Sequence, residues 1–347
     1  MGYFKGMKRC FIAAEISANH GQSFDRAVTM IKKAKSCGVD AVKFQAYTPD
    51  TITLNVRNRY FMVKHPKWRG QSLYQLYGRA YTPWKWLPKL KGIAEDLGMV
   101  FFSTAFDATS VDFLEDLGVP FHKVASFELN DLPLIEYAAR TKKPIILSTG
   151  MGTMREIGDA VRRARKSGAE EVVLLKCVSN YPADPKNMNL RTIPHMKKTF
   201  HCPVGLSDHT LGTIVSQAAV CLGATVIEKH FTLSRKLKTP DSFFSLEPAE
   251  LADLVRSVRT AEAAFGTVHY GLTPDEAASR VFRRSLFVAE DVAKGEIFTN
   301  KNVRSVRPGH GANPKYLSSI LGGTSKRDIV KGTPLKLDYV ILKKKAR

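Results

Sequence analysis

Two histidines and the residues beside them are the groups in this 347-residue chain best placed to do chemistry. His209 closes the phrase Gly205-Leu206-Ser207-Asp208-His209, and His230 closes Ile227-Glu228-Lys229-His230. Each follows an apolar run that reads as a buried strand, and the segment 213–222 between them reads as a helix. Strand–helix–strand brings both imidazoles to the carboxyl end of a parallel α/β fold, where side chains converge on one pocket. Two imidazoles make an open cation site, completed by water and substrate oxygens, that suits manganese, cobalt, magnesium or zinc. A pair of hydrogen-bonded core histidines is the plain alternative. Ser207-Asp208-His209 is not a nucleophilic triad, because adjacent strand residues point to opposite faces.

The other strands also end in polar residues. Glu15 ends the first, Lys43 and Gln45 the second, and Ser103 and Thr104 the third. Lys123 and Ser126 end the fourth, and Ser148-Thr149-Gly150 ends the fifth. Taken singly, a lysine at a strand end is a surface residue that snorkels. So many strands ending in reactive types point to one shared site. An inward lysine is costly unless it meets an anion. Lys43, Lys123 and Lys229, with the hydroxyls of Ser126, Ser148 and Ser207, are therefore expected to hold a phosphate and a carboxylate together.

The elements that must position these residues alternate eight times. Strand-like runs cover 10–16, 41–45, 99–103, 121–125, 144–148, 172–177, 203–206 and 225–229. Helix-like runs fall near 24–37, 83–97, 108–117, 132–140, 154–167, 190–200, 213–222 and 248–264. Eight such units predict a (β/α)8 TIM barrel rather than an open sheet. No Gly-x-Gly-x-x-Gly follows the first strand, which weighs against a dinucleotide fold. The connection 47–81 is long and aromatic, with Tyr60, Phe61, Trp68, Tyr74 and Tyr77, and is expected to lie over the site. A linker over 266–283 separates the barrel domain, 1–265, from a small mostly-β domain, 284–347. That domain holds two near repeats, Asp291-Val292-Ala293-Lys294-Gly295 and Asp328-Ile329-Val330-Lys331-Gly332, read as short strands and turns.

Five cysteines, with no Cys-x-x-Cys, predict reduced thiols and a cytoplasmic protein. No apolar stretch reaches the length of a membrane span, and the first residues do not read as a secretory signal. The net charge of +21 suggests nucleic acid at first sight. The lysines and arginines are dispersed over many helices without a nucleic-acid motif, so a basic surface around an anionic-substrate site is the better reading.

Six phrases occur in a specific order: Ala14-Glu15-Ile16-Ser17-Ala18-Asn19-His20, Val42-Lys43-Phe44-Gln45, Lys123-Val124-Ala125-Ser126, Ser148-Thr149-Gly150-Met151, Gly205-Leu206-Ser207-Asp208-His209-Thr210 and Glu228-Lys229-His230-Phe231. With them the chain resembles the sialic acid synthase family over nearly its whole length. The segment around Arg307-Pro308-Gly309 resembles the antifreeze-like (SAF) domain that follows the barrel in that family. Tyr47-Thr48-Pro49-Asp50-Thr51, Tyr81-Thr82-Pro83-Trp84 and Asp241-Ser242-Phe243-Phe244 are most similar to the branch that uses a 6-deoxy diacetamido hexose. Ser179 and the stretch Lys236-Leu237-Lys238-Thr239-Pro240 depart from the usual pattern.

The resemblance implies condensation of phosphoenolpyruvate with an open-chain amino-sugar aldehyde, releasing phosphate. It implies that His209 and His230 bind a divalent metal, manganese first, with cobalt or magnesium as alternatives. Lys43, Thr104, Lys123, Ser126, Ser148, Ser179 and Ser207 would hold substrate, mostly phosphoenolpyruvate. Gln45, Tyr181 and Asp241 would contact the sugar, and Glu15 would position water or move a proton. It further implies a domain-swapped homodimer in which Arg307 serves the partner's site, with no membrane and no nucleic acid as partner. The alternatives are a synthase for N-acetylneuraminate or legionaminate, a related barrel making seven- or eight-carbon keto acids, and a basic scaffold or nucleic-acid-binding protein on an inactive barrel. The related barrels lack the added C-terminal domain.

Overall fold

The computed structural model describes residues 3–343, in two compact units divided after Gly266. The first unit runs β1 (Phe11–Glu15), α1 (Phe24–Ser36), β2 (Ala41–Ala46), α2 (Pro49–Ile52), α3 (Leu73–Ala80), α4 (Leu87–Asp96), β3 (Val100–Ala105) and α5 (Ala108–Asp116). It continues with β4 (His122–Val124), α6 (Leu132–Arg140), β5 (Ile145–Ser148), α7 (Met154–Lys166), β6 (Val172–Cys177), α8 (Thr192–Phe200), β7 (Val204–Asp208), α9 (Ile214–Cys221), β8 (Val226–His230) and α10 (Pro248–Phe265). The strands pair in parallel in chain order and β8 returns to β1, closing the (β/α)8 barrel that the alternation predicts.

Local sequence explains the elements. α7 opens with a capping box between Thr153 and Glu156 and closes on Arg163, Arg165 and Lys166, which complements the helix dipole at both ends. Ile157, Ala160, Val161 and Ala164 recur at helical spacing and form its buried face. The helix expected over 83–97 begins instead as a 3-10 turn at Trp84–Trp86, and α4 follows with a proline in its first turn. Pro88 lacks the N–H that helix interiors need, so the first turn is where it is tolerated.

Period two along each strand builds layers inside the barrel. Near the amino ends, Phe11, Ala13, Ala41, Phe102, Phe121, Ile146, Val173, Leu175 and Val226 pack into one apolar cluster with Phe4. Two residues further along the same rows stand Glu15, Lys43, Thr104, Lys123, Ser148, Cys177 and Glu228. The apolar layer closes the bottom of the barrel, and the polar layer lies above it.

The connection 47–81 carries α2 and α3 between irregular stretches. Ser72 caps α3 in a capping box with Gln75, Met62 bridges Ser72, and Leu73 N donates to Phe61 O at 2.8 Å. Trp68 Nε1 donates to Pro240 O at 3.0 Å, which ties this connection to the loop after β8.

The second unit contains β9 (Ser285–Val288), β10 (Val303–Val306), α11 (Leu317–Ile320), β11 (Thr324–Ser325) and β12 (Val340–Ile341). Its core is Leu286, Val288, Val292, Phe298, Val303, Ile320, Ile329, Leu335 and Val340. The near repeats are not strands but two turns that cap each other. Val292 and Ile329 exchange backbone hydrogen bonds at 2.9 and 2.8 Å. Asp291 accepts from Lys331 N and Asp328 from Lys294 N, each at 2.7 Å. Gly295 and Gly332 follow at φ of 86° and 83°, where a side chain would be strained. Of the five cysteines, four are buried, Cys221 is exposed, and all are free thiols.

Candidate active site

At the carboxyl ends of the strands the polar layer closes round a small pocket of about 60 Å³. Lys43, Gln45, Thr104, Lys123, Ser126, Ser148, Tyr181, Ser207, His209 and His230 line it, joined by Cys177 and Glu228. Adjacent strands supply facing partners: Glu15 is in register with Lys43 and His230, Thr104 with Gln45 and Lys123, and Ser207 with Cys177 and Glu228.

Charge is distributed unevenly in this pocket. Lys43 Nζ lies 3.1 Å from Glu15 Oε2 and 2.9 Å from Glu228 Oε1. Glu15 also accepts from Gln45 Nε2 at 2.8 Å, and Glu228 from Ser207 Oγ at 3.0 Å. Burial pushes the Glu15 carboxyl above its usual range, whereas Lys43 and Lys123 outweigh burial at Glu228 and hold it low. Lys123 is different. Its Nζ donates to Ser148 Oγ at 2.7 Å and Val124 O at 2.9 Å, and among the described residues no carboxylate lies within ion-pair distance of it. Burial lowers it to about 8. A buried ammonium that hydrogen-bonds only neutral oxygens is ready to receive an anion.

The two imidazoles stand with ring centroids 5.3 Å apart. His209 Nδ1 donates to Val178 O at 2.9 Å, which in the neutral ring puts the lone pair on Nε2, and against burial the neighbouring Cys177 raises this imidazole above the ordinary histidine value. His230 Nδ1 is buried without a hydrogen-bond partner among the described residues, 4.0 Å from Asp241 Oδ2. Burial, then His209 and Lys43, hold His230 well below the ordinary histidine value and so in the neutral form that ligates metals. Among the described residues no group of three His, Cys, Asp or Glu is arranged to hold a metal. The donor set is therefore an open two-imidazole site, and it fits a divalent cation that keeps water or substrate oxygens.

The remaining sequence-derived candidates fall outside the inner pocket. Ser179 lies behind Gly150, where an added Cβ would stand 2.3 Å from Ser179 Oγ and 2.7 Å from Ser126 Oγ. Gly150 N donates to Ser126 Oγ at 3.0 Å, so this glycine lets three elements meet. Asp241 accepts from Ser17 Oγ and lines a wider outer cavity of about 560 Å³. As expected, the connection 47–81 covers the site, and Met62, Trp68, Leu73 and Tyr77 line that cavity with Tyr181, His230 and Asp241. Arg307 is an exposed residue of the second unit, on the loop after β10. Ser285 Oγ donates to Pro308 O at 2.6 Å and accepts from Gly311 N at 2.8 Å, which clamps this loop.

One expectation is overturned. Lys229 does not join Lys43 and Lys123. It sits one residue off the inward row, and its Nζ donates to Asp208 Oδ2 at 2.8 Å and Thr210 O at 2.6 Å on the outer side of the strands. Ser103, also one residue off the row, does not line the pocket. Among the polar pocket residues, the sequence marks Glu228 only as a group beside His230 and does not single out Cys177, Glu128 or Ser17. The inward parity of β8 and β6 points to the first two. Glu128 lies in an irregular turn, and burial raises its carboxyl to about 7. Cys177 Sγ lies 3.7 Å from His209 Nδ1, and against burial that ring draws the thiol down to about 7. A separate cleft of about 680 Å³, lined by Lys176, Arg191 and His195 among others, takes only Thr149 from the strand-end residues.

Residues 30–270 match the NeuB family. The chain belongs to that family. Residues 283–340 match the SAF domain, so a NeuB barrel is followed by an antifreeze-like domain. The chain is 41% identical to pseudaminic acid synthase of Campylobacter jejuni, over 97% of this chain and 98% of the relative. It is 40% identical to pseudaminic acid synthase of Helicobacter pylori, over 95% and 97%. Among solved structures, N-acetylneuraminic acid synthetase from Leptospira borgpetersenii is similar at 32% identity and a TM-score of 0.69, covering 78% of this chain and 90% of that one. No described helix of this NeuB protein is long and apolar enough to cross a membrane.

Proposed function

We propose that the protein condenses phosphoenolpyruvate with 2,4-diacetamido-2,4,6-trideoxy-L-altrose and water, giving the nonulosonic acid pseudaminic acid and phosphate. One observation carries the reading: two lysines, three serine hydroxyls and two imidazoles converge on one buried pocket beside a pair of carboxylates. The relatives at 40–41% identity favour the diacetamido sugar. The similarity to an N-acetylneuraminic acid synthetase supports a second reading, the same reaction on N-acetylmannosamine or its 4-acetamido-6-deoxy analogue.

In this mechanism Lys43, Lys123, Ser126, Ser148, Ser179 and Ser207 bind the phosphate and carboxylate of phosphoenolpyruvate, with Thr104 beside them. Lys43 exchanges carboxylate partners for the incoming anion, which releases Glu15 and Glu228. His209 and His230 would hold a divalent metal, manganese first, that supplies Lewis-acid polarisation of the sugar's carbonyl oxygen. Gln45, Tyr181 and Asp241 orient the sugar so that C3 of the enol attacks its aldehyde carbon. Positive charge then develops at C2, and Glu15 positions and deprotonates the water that adds there, the proton passing to the oxygen that was the sugar's carbonyl. The tetrahedral intermediate expels phosphate.

The same proposal includes a cytoplasmic setting, a linker over 266–283 and a homodimer in which Arg307 of each SAF domain completes the other chain's site. Val268 at 89% exposure, Tyr270 at 94% and Phe282 at 61% are exposed apolar side chains that such an interface would cover. Phosphate release with phosphoenolpyruvate, sugar and manganese tests the reading. Activity that needs all three and is lost in His209→Ala and His230→Ala supports it, and release without sugar sinks it.

A further inference from the structure

The outer cavity has two kinds of lining, and they come from different parts of the chain. Strand ends and the loops beside them supply most of the polar groups, Ser17, Gln45, Glu128, Tyr181, His230 and Asp241, interrupted by Phe106 and Phe127. The connection 47–81 supplies Ile52, Met62, Val63, Leu73, Leu76 and Tyr77, with Lys64 and His65 as its polar members. This apolar wall is preformed. Trp68 pins it to Pro240, Tyr47 packs edge-on against Tyr77 and Phe106 with centroids 5.7 and 5.0 Å away, and Ser72 caps α3 behind it.

A sugar whose aldehyde carbon lies near His209 and His230 cannot place its far end in an inner pocket of about 60 Å³. That end must extend into the outer cavity. Against Met62, Leu73 and Leu76 a hydroxyl finds no side-chain partner, so a hydroxymethyl group seated on them loses its water without replacement, whereas a methyl group gains contact.

Resting on the synthase reading above, we infer that the wall formed by Met62, Leu73 and Leu76 is a specificity surface that selects the sugar by apolar groups at its distal end. The C6 methyl is the group it takes, and a C6 hydroxymethyl is the group it disfavours. Hydrophobic pockets reject an added hydroxyl only moderately, so the selection is about 10- to 100-fold in kcat/KM.

The test compares two sugars that differ only at C6, 2,4-diacetamido-2,4,6-trideoxy-L-altrose and its 6-hydroxy counterpart, by phosphate release and product mass. The wild-type protein favours the 6-deoxy sugar by about 10-fold or more, Leu73→Gln moves the ratio toward unity, and Leu73→Met keeps it. Should Leu73→Gln fail to fold, Met62→Gln reads the same ratio from the other strand of the bridge. Equal efficiency on the two sugars overturns this inference and leaves the synthase reading standing, as does a ratio that Leu73→Gln and Met62→Gln leave unchanged. No release from either sugar overturns the synthase reading and this inference with it.

Discussion

Lys229 and Asp208 form a buried ion pair, Nζ to Oδ2 at 2.8 Å, directly behind the strand ends that present His230 and His209. Asp208 also accepts from Ser216 Oγ at 2.6 Å and from Thr210 N and Oγ1 at 2.9 and 2.8 Å. The pair fixes the turn after His209 from the outer side of the barrel. Lys229→Met leaves a buried carboxylate uncompensated and is expected to cost about 3–5 kcal/mol in denaturant unfolding. Asp208→Asn combined with Lys229→Met recovers most of that stability. A loss under about 1 kcal/mol for the single variant contradicts the account.

Lys123 predicts an alkaline limb for phosphoenolpyruvate capture. Burial lowers its ammonium to about 8, and the charged form is the one that binds an anion. As pH rises through that value the free protein loses the charge, so kcat/KM for phosphoenolpyruvate falls about tenfold per pH unit above it. Bound phosphoenolpyruvate favours the ammonium, so the limb in kcat lies at higher pH. A flat kcat/KM profile to about pH 9.5 rules this role out.

His20 predicts acid sensitivity of the fold. Its Nδ1 accepts from Gln22 N at 3.1 Å and its Nε2 lies 3.0 Å from Thr82 Oγ1, an arrangement for the neutral ring. Burial, helped by Arg26, lowers it to about 4 from 6.5. Between those values the unfolded chain binds the proton and the folded one does not, so stability falls as pH drops from 6.5 toward 4. The full loss is about 3 kcal/mol. His20→Gln, measured by urea unfolding across that window, flattens this part of the slope. An unchanged slope contradicts the assignment.

Gly150→Ala tests how closely the serines converge. The added methyl collides with the hydroxyls of Ser179 and Ser126. The expected result is a rise of about tenfold or more in KM for phosphoenolpyruvate with thermal stability changed little. A KM within about twofold of wild type means that these hydroxyls do not shape the site.

Much of the site was legible because period two in a barrel strand is strict. Once Lys43 is inward, Gln45 is inward too, and the same parity places Glu228 with His230 and sends Lys229 outward. Reading strand ends as sets, without that parity, is what misassigned Lys229. Glu128 and Ser17 were missed because they sit in irregular turns, where no period links sequence position to direction. The barrel was readable because its strands, buried on both faces, are continuous apolar runs between amphipathic helices. In the second unit the near repeats were visible in sequence. Their mutual capping was not, because Asp291 and Asp328 reach each other's turn only after the chain has folded back.

The most direct test of the central claim is product mass with phosphate release from phosphoenolpyruvate, manganese and three sugars supplied separately. These are 2,4-diacetamido-2,4,6-trideoxy-L-altrose, the corresponding legionaminate precursor and N-acetylmannosamine. The account predicts one phosphate per nine-carbon acid formed, with the altrose sugar by far the best substrate. Product from another sugar with none from the altrose contradicts the proposed substrate, and no product from any of the three contradicts the reaction itself.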